Sequence, residues 1–113
     1  MSVVAKPEYH HLRKGLLFAA DWARRLDGWV VVVCPVIGPE MRKFFSGIAS
    51  DAVKFSGRTA EFSGGGRLSL TEMAAPVFVP PDRRFSVMFL GDGDRGGMEK
   101  WRQRAAEVIR EVA

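Results

Sequence analysis

From Pro7 to Leu26, apolar residues recur at helical spacing, with Tyr9, Leu12, Leu16, Ala19, Ala20, Ala23 and Leu26 on one side. That period describes an amphipathic helix, opened by Pro7 in its first turn and closed by Asp27-Gly28. Phe18 and Trp22 widen the apolar arc, while Lys6, His10, Arg13, Lys14, Arg24 and Arg25 gather on the opposite face. Leu17 stands inside this basic face, either as an ordinary exposed leucine or as a contact point for a partner. The period then changes. Trp29-Val30-Val31-Val32-Val33 leaves no polar position to turn toward water, which predicts a strand covered on both faces in a sheet flanked by helices. Helical spacing returns from Pro39 to about Lys54, with Met41, Phe44, Phe45, Ile48, Ala52 and Phe55 on one stripe. Three phenylalanines on such a stripe belong to a core more readily than to a cofactor box.

Ser56-Gly57 breaks this pattern, and Thr59–Phe62 and Arg67–Leu70 then flank Ser63-Gly64-Gly65-Gly66. Two short strands around a glycine-rich connection predict a β-hairpin. The triple glycine leads into a strand, so it lacks the helix N-terminus that completes a phosphate cradle. Pro76 to Pro81 reads as a short extended edge segment, because proline limits ladder bonding. Asp82-Arg83-Arg84 forms a turn, Phe85 to Leu90 a second buried strand, and about Met98 to Val112 a last helix with Met98, Trp101, Ala105, Val108, Ile109 and Val112 on one face. These elements predict a single α/β domain over residues 1–113, in the order α-β-α-β-β-β-β-α, with α+β as the alternative. Its mixed sheet would hold a central buried strand and a hairpin, packed by three amphipathic helices.

Composition adds limits. Of the 113 residues, 47% are hydrophobic, enough to pack an interior, yet no apolar run approaches a membrane span. The first residues lack the charged and apolar segments of a secretory signal, and Cys34 is the only cysteine. Both features lead to the expectation of a cytoplasmic protein without an internal disulfide. Cys34 ends the buried strand, as a small packed hydrophobe or as a reactive thiol whose histidine base, His10 or His11, would have to arrive through folding. The net charge is +4, and arginine supplies twelve of the seventeen cations. Arginine suits phosphate and carboxylate forks, so an anionic partner is expected.

Gly91-Asp92-Gly93-Asp94 follows a buried strand, where open α/β sheets bind ligands or metals. A calcium loop starting at Asp92 fails, because Gly96 and Gln103 replace its fifth and twelfth ligands. Magnesium on Asp92 and Asp94 stays open beside the plainer reading of a turn near a helix N-terminus. The adjacent His10 and His11 diverge by about 100° on a helix and cannot chelate together. Arg58, Arg67, Arg83 and Arg84 are candidates to line a groove for a phosphate backbone, with Trp22 or Tyr9 available for stacking if they are not core.

Lys14-Gly15-Leu16-Leu17 through Arg25, Trp29 through Cys34-Pro35, the second helix, Arg58 to Phe62 with Gly65 to Leu70, and Val87 to Asp92 together resemble the first half of a helicase or phage-terminase ATPase core. In that family a helix precedes a "VVCP" strand, a hairpin intervenes, and an apolar strand ends in the acidic magnesium residue. The resemblance spans about Lys14 to Asp94. No Gly-x-x-x-x-Gly-Lys-Ser/Thr is present and no Asp-Glu pair follows the last strand, so ATP hydrolysis is not expected.

The functional expectation is a small non-enzymatic accessory protein without a cofactor, of the kind mobile elements or phages use as inhibitors or regulators. It would dock on a larger protein or nucleoprotein assembly, with nucleic acid a possible direct contact and no membrane involved. The docking face would be Arg13, Lys14, Leu17, Arg24 and Arg25. The alternatives are a metal-dependent phosphate-processing enzyme using Asp92 and Asp94, and a homo-oligomeric structural subunit pairing through its edge.

Overall fold

A computed structural model describes residues 9–26, 28–34, 36–72, 78–90 and 95–109. The elements follow as α1 (Tyr9–Leu26), β1 (Trp29–Cys34), α2 (Pro39–Ile48), β2 (Lys54–Phe55), β3 (Thr59–Glu61), β4 (Arg67–Glu72), β5 (Ser86–Phe89), α3 (Arg95–Arg104) and β6 (Glu107–Val108). All six strands join one mixed sheet in the order β2-β3-β4-β1-β5-β6. The α/β fold is therefore as expected, with β1 at its centre.

Strand β1 runs parallel to β4 on one side and to β5 on the other, so its backbone is paired along both edges. Its side chains alternate between two cores. Val30, Val32 and Cys34 point toward α1 and α2, where Leu16, Ala19, Ala20, Ala23, Met41 and Phe45 pack. Val31 and Val33 point the other way, against Val87, Phe89 and the α3 residues Met98 and Trp101. Each buried valine contributes roughly 1.5–2 kcal/mol by leaving water. An uninterrupted apolar strand is thus what a layer covered on both sides requires. In α1, three fully buried alanines let the helix lie close to the sheet.

The hairpin forms where the glycines predicted it. Strands β3 and β4 pair antiparallel, and the Phe62 N–H donates to the Gly66 carbonyl at 2.8 Å across the turn. Gly65 has φ 94°, a left-handed conformation that favours glycine. Gly66 serves close approach, since a Cβ there would fall 1.9 Å from the Ala23 carbonyl oxygen. The hairpin tip is pressed against the last turn of α1.

Three expectations need correction. The second helix stops at Ile48 instead of reaching Lys54, because the chain turns through Ala49–Val53 and Lys54–Phe55 pairs with β3 as a short edge strand. Phe55 still reaches the stripe it was assigned to, with its ring 5.6 Å from that of Phe45. Phe78–Pro80 belongs to no strand, and Pro76 and Val77 lie outside the described residues. Because β4 and β5 flank β1, the chain between them must recross the sheet, and Val79 and Phe85 put this crossing on the α3 side. Finally, the last helix ends at Arg104, and Glu107–Val108 returns as a strand parallel to β5. Val108 joins the α3-side core and Ile109 the opposite one, which is the alternation of a strand. Covering the edge of β5 satisfies its ladder, with the Ile109 N–H donating to the Val87 carbonyl at 2.8 Å.

Candidate functional site

Among the described residues, helix α3 packs through Met98 and Trp101 on the β1–β5 half of its side of the sheet. Register identifies what the other half presents: Trp29 stands beside Arg67, Arg67 beside Glu61, Glu61 beside Lys54, and Ser69 beside Thr59. These polar side chains are organised. The Trp29 indole N–H donates to Ser69 Oγ at 2.9 Å, and the Thr59 and Ser69 hydroxyls lie 2.9 Å apart. Buried Ser69 is thereby satisfied, and the indole is fixed in orientation. The Arg67 guanidinium lies over the Trp29 ring, 5.1 Å from its centre, and 3.9 Å from Glu61, and it stays partly exposed.

Two adjoining clefts share Trp29 and Arg67. One, of about 350 Å³, is rimmed by Lys54, Phe55, Thr59 and Phe78. The second, of about 280 Å³, is lined by Gly28, Gly65, Asp82, Arg83 and Arg84. The crossing segment supplies the rim on one side and is anchored from α3, because Arg104 donates to the Val79 carbonyl at 2.9 Å and stacks over Phe85 and Trp101. A turn follows, with the Arg83 N–H donating to the Pro80 carbonyl at 3.0 Å and Pro81 at its second position. That turn presents Arg83 and Arg84 to solvent. Four cations, Lys54, Arg67, Arg83 and Arg84, stand against two carboxylates, Glu61 and Asp82. The surface is electropositive and suits an anion.

Three of the four arginines proposed for a phosphate groove are therefore brought together. Arg58 lines neither cleft; its carbonyl accepts from the Leu70 N–H at 2.7 Å beside β3. The tryptophan that lines both clefts is Trp29, which the linear pattern had absorbed into the buried strand. Trp22 instead packs on the α1–α2 core with its ring 5.7 Å from Phe18.

The basic face of α1 is arranged differently. Arg24 forks onto Asp51 at 2.9 and 3.1 Å, also donates to the Ile48 carbonyl, and lies 4.6 Å over the Phe62 ring. This guanidinium holds the Asp51 carboxyl below the usual carboxylate range. Arg25 pairs with Asp21 one turn earlier. Arg13 lies 5.1 Å over Phe44, beside a cleft of about 450 Å³ between α1 and α2. Lys14 is exposed, and Leu17 is 49% exposed. Most of the arginines of this face thus tie α1 to its surroundings.

Cys34 is a packed core residue. Burial, with a smaller contribution from the Glu72 carboxylate, pushes its thiol up to about 12, so it holds almost no thiolate near neutrality. Glu72 is occupied in structure as well, accepting from the Ile37 N–H at 2.8 Å to fix the entry to α2. Asp92 and Asp94 lie outside the described residues. Among the described residues, no group of three His, Cys, Asp or Glu side chains could hold a metal ion, and no helix is long and apolar enough to cross a membrane. The chain matches no family model, no curated protein and no solved structure.

Proposed function

We propose that this chain is a small non-enzymatic cytoplasmic accessory protein that docks on an anionic partner, within a nucleic-acid-handling assembly, as an inhibitor or regulator. The observation that carries this reading is the convergence of Arg67, Arg83 and Arg84 around Trp29. Arg83 and Arg84 make no side-chain ion pair with any described residue, which leaves their forks available to a ligand. The resemblance to a motor core gives the direction toward nucleic-acid handling.

A second surface for the same function is the strip of Lys14, Leu17 and Phe18 on α1, favoured by the exposure of its two apolar side chains. Arg13, Arg24 and Arg25 flank it. One titration separates the two surfaces: fluorescence anisotropy of labelled heparin and labelled oligonucleotides, with the double variants Arg83→Glu/Arg84→Glu and Arg24→Glu/Arg25→Glu. The cleft reading expects the first variant to lose binding and the second, provided it folds, to retain it. Binding that survives reversal of Arg83 and Arg84 would transfer the function to α1, and no binding of any polyanion would end the proposal.

A further inference from the structure

Resting on that reading of the cleft, we infer that its ligand is a single-stranded nucleic acid, whose phosphates meet Arg67, Arg83 and Arg84 while one base stacks on Phe78. Phe78 is 78% exposed, the most exposed large hydrophobic side chain among the described residues. It stands on the rim of the same cleft as Arg67 and Lys54. An aromatic ring facing water gains from any flat apolar partner, and beside a cluster of arginines the partner that carries both a flat ring and a negative charge is a nucleotide.

Strand number follows from the same geometry. A duplex turns its phosphates outward and keeps its bases stacked on one another, so Arg83 and Arg84 would be reached but Phe78 would stay in water. An unpaired strand can splay a base onto Phe78 and keep its backbone on the arginines. The cleft beside Phe78 also holds Lys54 and Ser56, donors within its lining that suit the polar edge of a base. Trp29 has another part. With its N–H committed to Ser69 and Arg67 stacked over its ring, it forms the floor that holds Arg67 in place for a phosphate. An acidic peptide would satisfy the arginines and leave Phe78 without a planar partner.

The test compares four labelled probes at one ionic strength: a thymidine oligonucleotide of about ten residues, within the span such surfaces cover, the same sequence as duplex, heparin, and polyglutamate. The single strand should bind at least ~10-fold more tightly than the duplex, and Phe78→Ala should weaken the single strand by ~5-fold or more, the range expected for one stacked base. Heparin binding should be unchanged by Phe78→Ala, which removes no charge. Phe78 is a surface residue, so circular dichroism should report an intact fold for the variant. Equal affinity for single strand and duplex, tighter binding of polyglutamate, or indifference of the single strand to Phe78→Ala would each overturn the inference while leaving an anion-docking function standing. Failure of all four probes to bind would remove both.

Discussion

The α1 face and the cleft beside Trp29 are both rich in arginine, but their guanidinium groups have different occupations. On α1, Arg24 is divided among Asp51, the Ile48 carbonyl and the Phe62 ring, and Arg25 is paired with Asp21. In the cleft, Arg67 is stacked and steadied, whereas Arg83 and Arg84 extend from a proline-started turn into solvent. The difference teaches that arginine content alone does not locate an anion site. An arginine already forked onto a carboxylate must break that contact before it meets a phosphate, and an arginine without one does not.

The contrast can be broken or sharpened by substitutions of decreasing effect. The largest is expected at Gly66, where the hairpin that carries Arg67 meets the end of α1. Gly66→Ala places a methyl against the Ala23 carbonyl, and a backbone clash of this kind should cost about 3 kcal/mol in urea unfolding. Unchanged stability would mean that the two regions are not in contact there. Next, Arg24→Ala should cost about 1–2 kcal/mol, discounted for the partial exposure of the pair, because a carbonyl contact, a fork and a ring contact go together. Arg83→Ala should stay within about 0.5 kcal/mol, as for a surface residue with nothing to lose. Equal costs at the two positions would erase the distinction between structural and available arginines.

The same contrast can be sharpened through pH. The Asp51 carboxyl is held below its ordinary value in the folded chain by the hydrogen bond from Arg24. Its contribution to stability is therefore fully present above the unfolded value of 3.8 and is lost as pH falls through the lower folded value. Asp51→Asn should be less stable than the parent near neutrality, by less than the Arg24 loss, and the gap should begin to narrow only below about pH 4, closing as pH falls through the lower folded value. A gap independent of pH would show that the carboxylate charge is not what Arg24 uses.

Much of the scaffold was legible in the residues. A strand of consecutive valines has only one comfortable place, between two covered faces, and three glycines between short β-prone segments make a hairpin. Val108 and Ile109 were misleading because adjacent apolar residues fit one helical arc as well as they fit the two faces of a strand. Only the open edge of β5, set by tertiary pairing, decides between them. The site was half legible: Arg67, Arg83 and Arg84 stood out by type, but the groove they share depends on β4 lying beside β1. That adjacency joins segments far apart in the chain, and it alone puts Arg67 on Trp29. Phe78 was hidden by its prolines, which suggested an edge strand where the chain instead crosses the sheet.

Three indole N–H signals offer the most direct measurement. Trp29 floors the cleft, Trp22 packs beside the basic face of α1, and Trp101 lies in the core under α3. In a nitrogen–proton correlation spectrum titrated with a short thymidine oligonucleotide, the account expects the Trp29 indole to move together with the amides of Arg67, Phe78, Arg83 and Arg84, while the Trp22 indole stays in place. Movement of Trp22 and the Lys14–Phe18 amides with a stationary Trp29 would contradict it.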